Sequence, residues 1–126
     1  MSHFTKIEVR FDSLEALKDA LKQMGYSVIE GRHTMRNRWN DSREVDLEVA
    51  ELRSQVGFTQ NQDGTIEMHA DWYGLGINHN EFTQQLTQLH SKYKTLDSLR
   101  RDGWKLVKET VTDDGKIQLQ VRRWVS

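Results

Sequence analysis

The stretch from residue 82 to residue 99 most constrains what this chain can become. Phe82, Leu86, Leu89, Tyr93, Leu96 and Leu99 recur at steps of 4, 3, 4, 3 and 3, the stripe that one face of an α-helix buries. Asn78 or Asn80 can cap its start, with Glu81 three residues after Asn78, and Gly103 can stop it. The spacing predicts a helix of about 22 residues, roughly 33 Å long at about 1.5 Å per residue. Such a stripe needs an apolar surface to lie on.

Strand-like segments supply that surface. FTKIEVRF (4–11) alternates, with Ile7, Val9 and Phe11 on one side and Lys6, Glu8 and Arg10 on the other. DSLEALKDALKQMG reads as a first helix, with Asp12 as N-cap, Glu15 at capping-box spacing, a stripe of Leu14, Leu17, Leu21 and Met24, and Gly25 as stop. YSVIE follows as a strand. GRHTMRNRWNDSR (31–43) reads as an irregular basic loop. In REVDLEVAEL, alternation places Val45, Leu47 and Val49 inward. RSQVGFTQ and TIEMHADWY flank a hairpin turn ending Asp63-Gly64, and WKLVKETV and KIQLQVRRW flank another at Asp113-Asp114-Gly115. The order is β-α-β-β-β-β-α-β-β. MGYSVIEG after the first helix parallels DGWKLVKET after the second, which predicts two βαββ-like halves related to ferredoxin-like folds. The expected architecture is one α+β domain over residues 1–126, an antiparallel sheet with two helices on one face.

Composition narrows function by exclusion. Eighteen basic and 19 acidic residues leave a net charge of −1, which exerts no long-range pull on nucleic acid or anionic membranes. Without cysteine the chain has no disulfide, thiolate nucleophile or zinc finger. No apolar run approaches the roughly 18–20 residues of a membrane span. The opening MSHFTKIEVRFD lacks the pattern of a signal or transit peptide, so the protein is expected to work where it is made. No serine sits in a Gly-x-Ser-x-Gly setting.

The stretch TIEMHADWYGLGINHN (65–80) concentrates chemistry-bearing residues. Alternation turns Ile66, Met68, Ala70 and Trp72 toward the helices, and Glu67, His69, Asp71 and Tyr73 to the other face. His69 and Asp71 therefore share a surface, and His79 could fold back across Gly74 and Gly76. That trio is the alternative reading, a small-ligand or metal-binding enzyme, although His-x-Asp falls short of the three or four ligands zinc takes. Gly74-x-Gly76 lacks the third glycine and the lysine of a phosphate loop. The Arg32–Arg43 segment carries Arg32, Arg36 and Arg38, an anion-binding candidate, with Trp39 available to stack on a base; this is the RNA-associated alternative. Asp41 and Glu44 lie close enough in sequence to neutralise it. The many carboxylates expected on the open sheet face, including Glu8, Glu67 and Asp71, disfavour nucleic acid there.

MSHFTKIE, VGF at 56–58, ADWYG at 70–74 and the terminal GKIQLQVRRW occur in an order that resembles a cyanobacterial and plastid family, hypothetical chloroplast reading frame 35 (domain of unknown function 1257). The resemblance covers nearly the whole chain. Its matched positions are Ser2, His3, Phe4, Gly57, Phe58, Asp71, Trp72, Gly74, Gly115, Arg123 and Trp124. The segment 32–43 departs from the family pattern, and HSKYKTLDSL lacks paired tyrosines around Tyr93. The resemblance implies a location in cyanobacterial cytoplasm or plastid stroma and implies no reaction.

The leading expectation is a non-enzymatic accessory protein that binds a protein partner through the open polar face of the sheet. The surface patch comprises His3, Asp71, Trp72, Arg122, Arg123 and Trp124, with no catalytic residue, metal or cofactor. An unpaired outer strand would allow a homodimer.

Overall fold

A computed structural model of the protein describes residues 4–123. The chain runs β1 (Thr5–Phe11), α1 (Leu14–Gln23), β2 (Val28–Arg36), β3 (Ser42–Val49), a short 3-10 turn (Ala50–Leu52), β4 (Val56–Gln60), β5 (Ile66–Ala70), α2 (His79–Arg101), β6 (Trp104–Val111) and β7 (Ile117–Arg123). The first five strands form one sheet in the order β1-β5-β4-β3-β2, antiparallel at each pairing. β2 to β5 make a meander, and β1 adds to its far side. Four antiparallel steps separate β1 from β2, so these two edge strands run parallel, and α1 is the crossover between them. The architecture is α+β.

Both helices bury their stripes in the same core. Leu17, Ala20 and Leu21 of α1 and Phe82, Leu86 and Leu89 of α2 pack with Phe11, Leu47, Phe58, Met68 and Ala70 of the sheet. Phe11 lies edge-on to Phe58, with ring centroids 6.0 Å apart, and to His90, 5.1 Å away. The caps differ in part from expectation. Ser13, not Asp12, caps α1, its hydroxyl accepting from the Ala16 N–H at 3.1 Å. Asp12 instead pairs with Lys94 of α2. His90 Nε2, reaching from α2, accepts from the backbone N–H groups of Asp12 (3.4 Å) and Ser13 (3.3 Å). A side chain of one helix thus serves the free donors at the start of the other. Asn78 caps α2 through the N–H groups of Asn80 and Glu81.

Three expectations give way. Residues 31–43 are not an irregular loop: β2 continues to Arg36, a tight tip spans 37–41, and β3 begins at Ser42. The strand read at YSVIE runs on past Glu30 without a periodic signature, because Gly31, at φ +100°, accompanies a register shift between Glu30 and His33 that breaks the alternation. Val45, Leu47 and Val49 do not share one face either. Leu47 and Val49 lie in the main core, whereas Val45 joins Phe4 and Met35 in a second small cluster. This cluster explains Gly57, where a Cβ would stand 2.9 Å from both Met35 Sδ and Val45 Cγ1. Finally, the second βαββ-like half does not enter the sheet. Among the described residues, β6 and β7 pair only with each other, as a separate two-stranded sheet beside α2.

Candidate functional site

β5 ends at Ala70, and the chain leaves the sheet through Asp71, Trp72 and Tyr73. Ile66, Met68 and Ala70 are buried in the main core, and Trp72 packs against it, between the rings of His79 (5.7 Å) and Phe82 (5.5 Å). The other side is not the open wet face that alternation suggested. His69 and Asp71 are both buried, because the second cluster and the β2–β3 tip cover that end of the sheet.

Asp71 is the hub of a buried polar knot. Its Oδ2 accepts from Asn37 Nδ2 at 2.7 Å, and its Oδ1 from the Tyr73 N–H at 3.2 Å. Its backbone N–H donates to the Gln55 carbonyl at 2.8 Å. The Gln55 amide donates in return to the carbonyls of Asp71 (2.6 Å) and Tyr73 (2.8 Å). Asn37 uses its other end on the tip: its Oδ1 accepts from the N–H groups of Trp39 and Asp41, both at 3.0 Å. Asn37, Gln55 and Asp71 are all buried, so each bond replaces one that water would have made. Arg53 and Ser54, just before Gln55, both sit in the left-handed region at φ +57° and +60°. For non-glycine residues that costs of the order of 1 kcal/mol each, offset here by the placement of Gln55.

The knot ties two loops together, and each presents an aromatic ring to solvent. Trp39, from the tip, is 39% exposed, and Tyr73 is 63% exposed. They meet edge to face with centroids 5.8 Å apart, a geometry aromatic pairs favour. Arg38 lays its guanidinium over the Trp39 ring, 5.7 Å from the centroid. Arg36 donates to Asn40 Oδ1 at 2.9 Å. Arg53 donates to the Gly74 carbonyl at 3.4 Å. Two exposed rings thus stand side by side above the polar knot, with Arg36, Arg38 and Arg53 bonded to or lying over residues of the same two loops.

The structure separates the residues singled out from the sequence. Of the patch, Asp71 is at the knot, but Trp72 points to the helix side. Arg122 and Arg123 are exposed on β7, in the other sheet, with Arg123 over Trp104. His3 and Trp124 lie outside the described residues. Of the anion candidates, Arg32 is neutralised by Asp46 at 3.1 Å, while Arg36 bonds to Asn40 and Arg38 lies over the Trp39 ring. His69, Asp71 and His79 do not converge: His79 stacks on Trp72, and among the described residues no group of three or more His, Asp or Glu side chains could share a metal ion. Trp39 and Tyr73 were legible as aromatics but not as a pair. Nothing in the sequence distinguishes Asn37 or Gln55 from any other polar residue.

Three histidines sit in contrasting settings. Burial pushes the His69 imidazole below its ordinary pKa, and its buried Nδ1 has no hydrogen-bond partner among the described residues. Burial likewise lowers His90. His33 is raised, first by its bond to the Gly31 carbonyl (2.7 Å) and then by Glu48 (2.8 Å). An open groove of about 1240 Å³ runs between α2 and β7, lined largely by Thr, Gln and Ser side chains with Ile117 and Leu119. Lys92 at its wall is engaged by Glu109 and Gln23.

Among the described residues, no helix is long and apolar enough to cross a membrane. The chain is 29% identical to the uncharacterized protein ycf35 of Pyropia yezoensis over 131 residues, covering 98% of each chain. No solved structure matches it. A family model described as a protein of unknown function, DUF1257, matches residues 20–120, from α1 into β7. The knot and both rings fall inside that span, and the chain belongs to the DUF1257 family.

Proposed function

We propose that the protein is a non-enzymatic binding module that recognises a protein partner through the surface built on Asp71. The observation that carries this reading is the exposed Trp39–Tyr73 pair held from beneath by Asn37, Asp71 and Gln55. Rigid aromatic side chains give large contact area at low entropic cost, which is why they dominate binding hot spots. Asp71 acts as a positioning residue: it fixes both loops and is itself shielded from a partner. The similarity to the ycf35 protein of Pyropia yezoensis supports a working location in a plastid stroma or cyanobacterial cytoplasm.

The test is affinity isolation from extract of the native host, using wild type, a Trp39→Ala/Tyr73→Ala double variant and an Arg122→Ser/Arg123→Ser double variant. Loss of specific partners with the aromatic variant and their retention with the hairpin variant is the expected result. If the aromatic variant keeps every partner, the surface is not the binding site.

A further inference from the structure

We infer that the segment recognised at the Trp39–Tyr73 surface is an acidic stretch of protein, carboxylates flanking an apolar side chain. This rests on the binding role just proposed and adds the chemistry of the partner. The arginines near the tip fall into two groups. Arg32 and Arg43 are committed to Asp46 and Asp41, each at 3.1 Å. Arg36, Arg38 and Arg53 form no ion pair among the described residues; each is held by a neutral group, namely Asn40, the Trp39 ring and the Gly74 carbonyl. A guanidinium has five donors in a fixed fork matched to a carboxylate, and these interactions leave most of them free. The three forks are steadied before any ligand arrives, which lowers the ordering cost of binding.

The surrounding charge does not supply the missing anions. The carboxylates within the two loops are already engaged: Asp71 by Asn37 and the Tyr73 N–H, and Asp41 by the Phe4 N–H (2.8 Å) and Arg43. The chain's net charge of −1 does not oppose this locally, because charges beyond about 8 Å are screened at physiological ionic strength.

Ring geometry separates an acidic peptide from single-stranded nucleic acid, the other anion that arginine and tryptophan attract. Bases stack on open ring faces. Arg38 lies over the Trp39 ring, and the Trp39 and Tyr73 planes meet at 65°. The pair therefore offers a notch for a side chain rather than two parallel platforms for bases.

The experiment is fluorescence polarisation with the full chain and three short labelled probes: an Asp/Glu-rich peptide with a central Phe, its Lys-substituted counterpart, and a single-stranded RNA of matching negative charge. The acidic peptide should bind, weaken with added salt, and lose about tenfold in affinity on Arg38→Ser, as expected for one charge-assisted contact. Arg53→Ser should weaken it similarly, so that the result does not hang on one variant. Arg122→Ser should leave it unchanged. Tighter binding of the RNA, equal binding of the Lys peptide, or indifference to both arginine substitutions would overturn the inference. Should the host partners be lost with the aromatic variant yet the acidic peptide fail to bind, the binding surface survives and only the partner chemistry falls.

Discussion

The hairpins β2–β3 and β6–β7 are nearly matched locally and far apart energetically. Both are long antiparallel pairs, and both carry a register irregularity, at Glu30/His33 in one and Leu106/Lys108 in the other. Yet β3 buries Val45, Leu47, Glu48 and Val49, while no described residue of β6–β7 is buried. The first hairpin is paired onward through β4, and its β3 buries side chains on both faces, although β2 is an edge strand on which only Met35 is buried. The second leans on α2 through Lys92–Glu109 (2.8 Å) and Ile117, leaving Leu106, Val107 and Val111 exposed. Alternation forms a hairpin; what covers its faces decides what the hairpin is worth, and an isolated two-stranded sheet is marginal in water.

Substitutions can break that contrast or sharpen it. The largest effect is expected for Phe11→Ala, which empties the space between Phe58 and His90. A loss of about 3–5 kcal/mol should follow, seen in calorimetry as a fall in Tm of about 10 °C or more. A shift no larger than that of a β6–β7 variant would contradict the assignment of the core to the five-stranded sheet.

Next comes Asp71→Ala, which removes the acceptor of the buried Asn37 amide and of the part-buried Tyr73 N–H, at about 1–3 kcal/mol. Asp71→Asn should recover only part of this, because its single amide oxygen can accept from Asn37 or from the Tyr73 N–H but sets its own donor against the other. Urea unfolding measures both; an unperturbed Asp71→Asn protein would show that the knot is not held as described.

Acid should weaken the body through His69 and His90. Both folded pKa values are depressed, so the unfolded chain takes up protons first. The stability they protect is complete above their ordinary value of 6.5 and is lost as pH falls toward the folded values. His33, raised in the folded state, has the opposite sign: its contribution is complete below 6.5 and declines as pH rises through its folded value. His90→Gln should flatten the acid limb of a Tm-against-pH curve by a fraction of the whole, since His69 remains; an unchanged limb would remove His90 from this role.

The smallest effect is expected for Val107→Thr, within about 0.5 kcal/mol of wild type. A cooperative loss of Tm comparable to Phe11→Ala would mean that the second hairpin is buried in some assembly of the protein.

Much of the fold was readable because two periods dominate the chain. The stripe from Phe82 to Leu96 became α2, and Ile66, Met68 and Ala70 turned inward as alternation required. What alternation could not convey was the far face. A bulge at Gly31 and the packing of Val45 with Met35 over Gly57 are tertiary events without a periodic signature. Consequently His69 and Asp71 read as surface residues, and the knot that links 37, 55 and 71 stayed hidden. The aromatic pair was half visible: Trp39 and Tyr73 stand 34 positions apart, and the Asn37–Asp71 bond, at the same separation, helps bring them together.

The crossover helix has a consequence for synthesis on the ribosome. β1 emerges first, but its partner is β5, with Thr5 opposite Ala70. The meander from β2 to β5 must exist before the first strand has an edge to join. Until then Phe11 has neither Phe58 beneath it nor His90 beside it, so the sheet's first strand in chain order is the last to find its seat.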